Sequence, residues 1–207
     1  MLDPGLLSFV LESLPTPPSR VLEIGAGDGE LAGVLAATGY EVVAIDPGTS
    51  AENVQPVPLL ELDEPAGSFD CALAVLSMHH VEPLAASCRR LGEVLRTGGV
   101  LVLDEIDFAR FDERAAGWWL DHHQSDGGRH GHDTSSPAAL VADLRHHCHL
   151  LSEVQAALGE WFELGTPVRG PYLYRWEMPL ELRETELELI ASGELPATGA
   201  RIVGTRR

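Results

Sequence analysis

The apolar positions in the first half of the chain fall into two patterns, which together predict strands that alternate with helices. Short, mostly apolar runs are typical of buried strands, and they lie at 21–24, 41–45, 57–60 (the weakest), 71–76 and 100–103. Apolar residues at helical spacing predict helices over 6–14, 30–38 and 83–95. Strands that alternate with helices favour a parallel sheet covered on both faces.

The second half of the chain has a less regular pattern. Positions 107–137 form a long connection with a helical segment over 114–123, and loops of this length often cover a binding site. The remaining predicted elements are a helix from Ser136-Pro137 to about 147, an extended aromatic, hairpin-like region over 161–176, an acidic helix over 179–192 and a last strand over 200–205.

The run from Val21 to Gly29 carries the clearest functional signal. Alternate glycines at 25, 27 and 29 follow the first predicted strand and precede a helix. Glycine lets the backbone turn sharply and lets a ligand approach closely, because no Cβ stands in the way. N–H groups at the start of the helix can meet ligand oxygens. Glu23 precedes the glycines, and Asp46 ends the next strand, where an acid suits ribose hydroxyls.

The usual phosphate-binding loops do not fit this run. A dinucleotide fingerprint has its third glycine where this chain has Glu30, and the carboxylates of Asp28 and Glu30 would crowd a pyrophosphate. The Gly-x-x-x-x-Gly-Lys-Ser/Thr pattern does not occur in the sequence. The acidic loop therefore suits a nucleoside without phosphates, and positive charge on that ligand would fit it well.

These features resemble the class I S-adenosylmethionine-dependent methyltransferases. The resemblance is carried by residues 21–29, Asp46, the run 68–81 and the run 95–103, in the order of that family's motifs. It implies that the glycine motif wraps the amino-acid part of the cofactor and that Asp46 binds both ribose hydroxyls. It also implies a Rossmann-like α/β fold, with a mostly parallel seven-stranded sheet, helices on both faces and an antiparallel last strand.

The expected layout is a single methyltransferase domain over 1–207. Its parts are a short N-terminal helix at 5–14, a cofactor half at 20–106, a lid or insertion at about 107–137 and a substrate-side tail at 138–207. S-adenosylmethionine is the expected cofactor, and its predicted contacts are Glu23, Gly25, Ala26, Gly27, Gly29, Asp46, Pro47, Leu60, Leu76 and Ser77. A purely structural role for Glu23, as a cap of the following helix, stays open.

Two histidine pairs are candidates for contact with a methyl acceptor. A hydroxyl or amine acceptor benefits from a general base, and histidine titrates near neutral pH. His79 and His80 follow the 71–76 strand, and His122 and His123 follow two tryptophans in the long connection. Each pair also has a structural interpretation: the first can pack its loop, and the second can end a surface helix, where histidine suits the helix dipole.

Two further clusters in the second half have open interpretations. One set of aromatic residues either lines a pocket for an aromatic acceptor or packs in the core, namely Trp118, Trp119, Trp161, Tyr172, Tyr174 and Trp176. A second set contains metal-ligating residue types, namely Asp126, His130, His132, Asp133, His146, His147 and His149. Their spacing matches no known metal motif, so no metal site is predicted.

The composition limits the partners. A net charge of −18 at pH 7 opposes binding to nucleic acid or to an anionic membrane, which carry charge of the same sign. No apolar run is long enough to cross a bilayer, and the start of the sequence lacks the basic region of a signal peptide. Three scattered cysteines favour buried thiols in a reducing compartment. We expect a cytoplasmic monomer or homodimer with a small-molecule substrate.

The sequence thus predicts a methyltransferase that acts on oxygen or nitrogen of a small molecule, such as a natural product or an aromatic compound. The alternative is a protein that binds S-adenosylmethionine or S-adenosylhomocysteine without methyl transfer, because no candidate base is as specific as the glycine run. Glu30 disfavours an NAD-dependent oxidoreductase. The run 77–80 lacks the Asn/Asp-Pro-Pro-Tyr/Phe motif, which argues against adenine and glutamine as acceptors.

Overall fold

Seven strands form one mixed sheet in the computed structural model, which describes residues 2–124 and 131–207. The strands are β1 (Arg20–Ile24), β2 (Glu41–Ile45), β3 (Phe69–Val75), β4 (Leu95–Ile106), β5 (Phe162–Leu164), β6 (Val168–Gly170) and β7 (Gly199–Arg206). Their order is β2-β1-β3-β4-β7-β5, and β6 also pairs with β7. β1 to β4 pair in parallel, whereas β7 runs antiparallel to β5 and β6. The sheet confirms the predicted Rossmann-like fold with an antiparallel last strand.

Seven α-helices accompany the sheet in the described part of the chain, and six lie close to predicted positions. They are α1 (Pro4–Ser13), α2 (Glu30–Ala37), α3 (Leu84–Val94), α4 (Glu113–His122), α5 (Pro137–His147), α6 (Leu151–Gly159) and α7 (Leu182–Ser192). α1 and α5 begin with proline after a polar cap: the Asp3 carboxylate accepts a hydrogen bond from the Leu6 N–H at 2.7 Å, and Ser136 caps α5 similarly. Within the described residues, no helix has both the length and the apolar character that crossing a bilayer requires.

The weakest predicted strand, over 57–60, is wrong. A 3₁₀ turn at Leu59–Glu61 occupies this place instead. A single parallel bridge between Ile45 and Gln55 precedes the turn. The proline within the run has no N–H to donate to a strand ladder, which explains why the apolar residues do not extend the sheet.

Three further features differ from the predictions. The region over 161–176 is not a hairpin, because β5 and β6 each pair with β7 rather than with each other. Helix α6 was not predicted, although its buried residues Leu151, Val154 and Leu158 follow helical spacing. The strand at 100–103 is longer than predicted, because β4 already begins at Leu95.

The contacts of the chain group into two compact units. The first comprises Met1–Glu105, Ser152–Pro167 and Ile202–Arg207. The second comprises Ile106–Leu151 and Val168–Arg201. The organisation of the chain as a single domain stays a prediction.

The parallel strands of the first unit end at one edge of the sheet. β1 is buried along most of its length, as expected for a central parallel strand. At its carboxyl end, Ile24 lies in register with Ile45 of β2 and with Ala74 of β3. The segments that follow these strands therefore leave the sheet side by side, which is where ligands bind on parallel sheets.

Buried polar groups hold the second unit together. Glu186 of α7 is fully buried, and its carboxylate accepts hydrogen bonds from the N–H groups of residues 172–174 at 2.7–3.0 Å. Asp107 forms an ion pair with Arg169, with 2.7 Å between the Asp107 Oδ2 and Arg169 Nη1 atoms. Helix α4 packs against α5 in the same unit. The turn over 172–174 is thus fixed by a carboxylate whose acceptor sites are taken by backbone donors.

Two helical glycines provide a matched test of packing in the first unit. A Cβ added at Gly33 in α2 would meet nothing within 4 Å, whereas a Cβ added at Gly92 in α3 would lie 2.9 Å from the Trp161 ring. We expect Gly33→Ala to raise the free energy of unfolding by about 0.5–1 kcal/mol, since alanine has the higher helix propensity. Gly92→Ala should lower it by about 1–3 kcal/mol, since the indole must shift. Urea denaturation measures both, and equal stabilisation of the two variants would contradict this packing.

Candidate functional site

The glycine-rich loop between β1 and α2 is the centre of the candidate site. Gly25, Gly27 and Gly29 all have positive φ angles, of 71°, 57° and 75°, a conformation that residues with a side chain rarely adopt. The N–H groups of Gly25 and Ala26 both donate to the carbonyl oxygen of Ile45, at 2.8 and 3.1 Å. The loop is therefore attached to the carboxyl end of β2 as well as to β1.

The three glycines differ in what surrounds them. A Cβ at Gly25 would lie 2.2 Å from the Ser77 Cβ atom, and a Cβ at Gly29 would lie 2.5 Å from the Asn53 Nδ2 atom. A Cβ at Gly27 would meet nothing within 4 Å. Gly25 and Gly29 are thus required by packing within the protein, whereas Gly27 exposes its backbone to open space where a ligand can approach it.

Asp46 lies directly beside Gly27. Its Oδ2 atom accepts a hydrogen bond from the Gly27 N–H at 3.0 Å, and its Oδ1 atom accepts one from the Gly48 N–H at 2.8 Å. The Thr49 hydroxyl donates to the Gly27 carbonyl at 2.6 Å and closes the connection between the two loops. A carboxylate has about four acceptor positions, so Asp46 retains capacity to accept hydrogen bonds from ligand hydroxyls.

Glu23 is a buried carboxylate with an unsatisfied oxygen. It lies in β1 with 4% of its surface exposed, and its Oε2 atom has no hydrogen-bond partner. Burial, together with the nearby Asp28 carboxylate, raises the pKa of Glu23 to about 8. An unpaired buried acid is costly, and a cationic ligand or a donor at this position would relieve the cost.

The segment after β3 packs against the glycine loop from the other side. The Ser77 hydroxyl donates to the Ile24 carbonyl at 2.7 Å, and Ser77 is the residue that contacts Gly25. Leu76 has a positive φ angle of 56°, which is uncommon for a residue with a side chain. The structure thus brings Ser77, Gly25 and β1 together, as the sequence order alone suggested for the carboxyl edge of the sheet.

Glu105 lies beside the candidate site but was not among the predicted site residues. It lies at the end of β4 with 1% of its surface exposed. Its Oε1 atom accepts hydrogen bonds from the N–H groups of Ser77 at 3.0 Å and Met78 at 2.7 Å, and its Oε2 atom lies 2.7 Å from His79 Nδ1. The sequence feature that could have identified Glu105 is its position as an acid near the end of a long apolar run. Such a run ends at the edge of a parallel sheet where ligands bind.

The first histidine pair divides into a buried and an exposed member. His79 is buried and its Nδ1 atom faces the Glu105 carboxylate, whereas His80 is exposed. The two rings lie 4.2 Å apart between centroids. A carboxylate at Nδ1 favours the tautomer with its proton on that nitrogen, so Nδ1 of His79 is the donor to Glu105.

The second histidine pair lies in the second unit, at the end of α4. His122 Nδ1 lies 2.7 Å from the Trp118 carbonyl oxygen, and His123 Nδ1 lies 3.0 Å from the Leu120 carbonyl oxygen. The His123 ring stacks on Trp119 at 4.2 Å between centroids. Both histidines therefore donate from Nδ1 to backbone carbonyls, and their role as bases stays a prediction.

Two predicted cofactor contacts, Pro47 and Leu60, lie at exposed positions. Pro47 is exposed and follows Asp46, and Leu60 lies on the 3₁₀ turn with 42% of its surface exposed. Their contact with a cofactor stays a prediction, as does that of every predicted site residue. Ala26 is buried in the loop, where it joins a small apolar cluster with Ala44 and Val54.

The aromatic residues of the second half divide between core and surface. Trp119, Tyr172 and Tyr174 are buried, which fits the core-packing interpretation. The other three, Trp118, Trp161 and Trp176, are partly exposed. The Trp119 ring stacks on Trp176 at 4.5 Å between centroids, and the Trp119 Nε1–H donates to the Trp176 carbonyl at 2.8 Å.

Part of the histidine and aspartate cluster is held together by close contacts with one carboxylate. The Asp143 carboxylate lies 2.8 Å from His132 Nδ1 and 3.2 Å from His147 Nδ1. The His132 side chain, through its hydrogen bond, lowers the pKa of Asp143 below its ordinary value. Of the other candidates, Asp126 and His130 lie outside the described residues.

Residues 4–163 match the family model described as "Methyltransferase domain", and the chain belongs to this family. The match covers the glycine loop, Asp46 and the segment after β3. The chain is a class I S-adenosylmethionine-dependent methyltransferase, as the resemblance of its motifs predicted.

Known proteins similar to this chain include both enzymes and solved structures. A ubiquinone biosynthesis O-methyltransferase of Xanthomonas campestris pv. campestris (strain B100) is 30% identical over 178 residues, which cover 77% of this chain and 74% of that protein. The crystal structure of a putative methyltransferase from an antibiotic biosynthesis pathway of Anabaena variabilis ATCC 29413 has a TM-score of 0.62 at 18% identity, covering 99% of this chain and 97% of that one. A putative S-adenosylmethionine-dependent methyltransferase of Listeria monocytogenes has a TM-score of 0.63 at 16% identity, covering 98% and 96%. At these identities the two structures support the fold.

The raised pKa of Glu23 predicts how stability depends on pH. The folded chain holds the Glu23 proton up to about pH 8, whereas the unfolded chain releases it near the ordinary value of 4.5. The free energy of unfolding should therefore fall as the pH rises between these values, by about 1.4 kcal/mol per pH unit from this group. Urea denaturation of Glu23→Gln should show a flatter profile than the wild type. The control Glu41→Gln, at an exposed carboxylate on β2, should keep the wild-type slope. A wild-type slope in Glu23→Gln would contradict the raised pKa of Glu23.

Proposed function

We propose that this enzyme binds S-adenosylmethionine at the glycine loop and transfers its methyl group to a hydroxyl of a small molecule, with an amine nitrogen as the other acceptor class. The observation that carries the proposal is Gly27. Its backbone faces open space, its N–H is bonded to Asp46, and the same loop follows a strand that buries the unsatisfied carboxylate of Glu23.

The residues of this site fit the cofactor in hydrogen-bonding capacity and charge. Asp46 has free acceptor capacity suited to the two ribose hydroxyls. Glu23 offers a buried oxygen to a cationic group, and the amino-acid part of the cofactor carries an ammonium group. The site has carboxylates where a phosphate binder would have neutral or basic groups, which fits a nucleoside without phosphates. Proposed further contacts are Gly25, Ala26, Gly29, Pro47, Leu60, Leu76 and Ser77.

The chain's own residues have three tasks in the transfer. When bound, S-adenosylmethionine supplies a methyl group that its sulfonium has already activated. The protein must hold the acceptor oxygen in line with that group, exclude water and accept the acceptor's proton. His79, His80, His122 and His123 are the proposed bases or acceptor contacts. For His122 and His123, the partners at Nδ1 leave Nε2 as the proton-accepting nitrogen.

Relatives support oxygen as the acceptor atom. The similar Xanthomonas enzyme is named for O-methylation in ubiquinone biosynthesis, and O-methyl transfer requires removal of a hydroxyl proton, for which a histidine base is suited. The net charge of −18 opposes a nucleic acid substrate. We therefore propose a small hydroxylated, in particular phenolic, acceptor for a monomeric or homodimeric enzyme of the cytoplasm.

The cofactor proposal predicts selective loss of binding at Gly27. Isothermal titration calorimetry should give a dissociation constant of about micromolar size for S-adenosylmethionine and S-adenosylhomocysteine. Gly27→Val should weaken binding at least about tenfold, because the side chain enters the open space, and Asp46→Ala should do the same by removing the acceptor oxygens.

Gly98→Val is the matched control. Gly98 also has a positive φ angle, of 76°, and an added Cβ would meet nothing within 4 Å. The substitution therefore imposes similar backbone strain outside the glycine loop, and it should leave the dissociation constant unchanged. Tight binding of NAD without a response to S-adenosylmethionine would overturn the proposal.

The acceptor proposal predicts methyl transfer to phenols that depends on histidine. The enzyme should release S-adenosylhomocysteine when it is supplied with a panel of catechol-type phenols, and less with primary amines. Alanine at one of the four candidate histidines should lower kcat by about 10²-fold or more while cofactor affinity is kept, because proton transfer contributes that much. Binding of the cofactor with no transfer to any phenol or amine would favour a binding protein without transfer. Wild-type kcat in all four variants would exclude a histidine base.

A further inference from the structure

Glu105 organises the segment that follows β3 through three short hydrogen bonds. One oxygen accepts the backbone N–H groups of Ser77 and Met78, at 3.0 and 2.7 Å, and the other lies 2.7 Å from His79 Nδ1. The carboxylate is 1% exposed, so water cannot replace these donors. Hydrogen bonds to a charged acceptor are among the stronger ones in proteins.

The segment that Glu105 holds has an unfavourable backbone conformation. Leu76 has a φ angle of 56°, and a left-handed conformation at a leucine is stable only when the surroundings enforce it. The Leu76 N–H donates to the Asp104 carbonyl at 2.9 Å, and the next two N–H groups donate to the Glu105 side chain. The end of β4 therefore supplies partners for three consecutive backbone donors.

The position of this segment determines the space available to the glycine loop. The Ser77 Cβ atom lies so close to Gly25 that a Cβ there would be 2.2 Å away, and the Ser77 hydroxyl donates to the Ile24 carbonyl at 2.7 Å. Ser77 thus supports the beginning of the loop, while Glu105 fixes Ser77. A displacement of Ser77 would loosen its packing against Gly25 and its hydrogen bond to Ile24.

We infer that Glu105 is a positioning residue of the cofactor site: it braces the glycine loop through Ser77 and fixes the tautomer of His79. The inference rests on the proposed function for its effect on S-adenosylmethionine, but not for its effect on the imidazole. Each oxygen of the carboxylate has one of these tasks, because Oε1 accepts the two backbone donors and Oε2 faces the histidine. The two tasks can therefore be separated by substitution.

Glutamine at this position separates them. In Glu105→Gln the amide oxygen can keep both backbone N–H groups, whereas the amide NH₂ group faces His79 Nδ1 and can only donate. His79 must then accept at Nδ1 and carry its proton on Nε2. Glu105→Ala removes both tasks and leaves the N–H groups of Ser77 and Met78 buried without an acceptor, which is unfavourable.

Glu186 supplies a matched control within the chain. Like Glu105, it is a buried glutamate. Its carboxylate accepts three backbone N–H groups, those of residues 172–174. Both of its oxygens serve backbone donors, and it holds a turn in the second unit. Glu186→Gln therefore neutralises a buried, hydrogen-bonded carboxylate of the second unit, and its amide NH₂ group also leaves one backbone N–H without an acceptor.

The test combines calorimetry with S-adenosylmethionine and two-bond ¹H–¹⁵N NMR spectra of the imidazole rings, in which His79→Gln assigns the His79 signals. Glu105→Gln should bind S-adenosylmethionine within about threefold of the wild type but move the His79 proton from Nδ1 to Nε2. Glu105→Ala should bind at least about tenfold more weakly. Glu186→Gln should keep both the affinity and the His79 tautomer.

The outcomes distinguish this inference from the proposed function. Wild-type affinity in both Glu105 variants, with an unchanged His79 tautomer, would overturn the inference even if the cofactor binds as proposed. If Glu105→Ala fails to fold, the conserved affinity and altered tautomer of Glu105→Gln still support it. A wild-type protein that binds no S-adenosylmethionine, while Glu105→Gln still moves the proton of His79, would refute the proposed function and support the positioning of His79.

Discussion

The parallel register of β1 with its two neighbours is the constraint on which the site depends. Ile24 lies opposite Ile45 on one side and Ala74 on the other, so three loops leave the sheet at the same level. Because the loops start together, short hydrogen bonds can join them: Asp46 reaches Gly27, and Ser77 reaches Ile24. A shift of one residue in either pairing would turn these side chains to the other face of the sheet.

Two buried glutamates at this edge illustrate how environment decides the role of an acid. Glu105 is surrounded by donors and fixes a segment of backbone, which is a structural use of negative charge. Glu23 retains an oxygen without a partner, and burial raises its pKa to about 8. Buried polar groups are normally hydrogen-bonded. We therefore propose that the unsatisfied acid is the one that a ligand would complete, and that the satisfied acid keeps the neighbouring backbone in place.

The sequence predicted those parts of the fold and site that depend on local pattern. Alternate glycines after an apolar strand, followed by an acid at the end of the next strand, located the loop and Asp46 because turn chemistry is written in neighbouring residues. The predicted strand over 57–60 was wrong. The prediction relied on the apolar residues and did not take into account that the proline among them has no N–H to donate. Glu105 received no predicted role because its partners lie 26–28 residues away along the chain, and only strand pairing brings them together.

The glycine loop depends mainly on backbone groups, whereas the second half of the chain contributes mainly side chains. The loop is defined by backbone geometry: its three glycines have positive φ angles, and its N–H groups donate to the end of β2. The aromatic side chains of the second half, for which an acceptor pocket is one interpretation, also serve packing: Trp119 is buried, stacks on Trp176 and donates to its carbonyl. A residue that packs in the core cannot be substituted freely to suit a different substrate. Variation in acceptor choice should therefore concentrate in the partly exposed aromatic residues, Trp118 and Trp176, and in the histidines beside them.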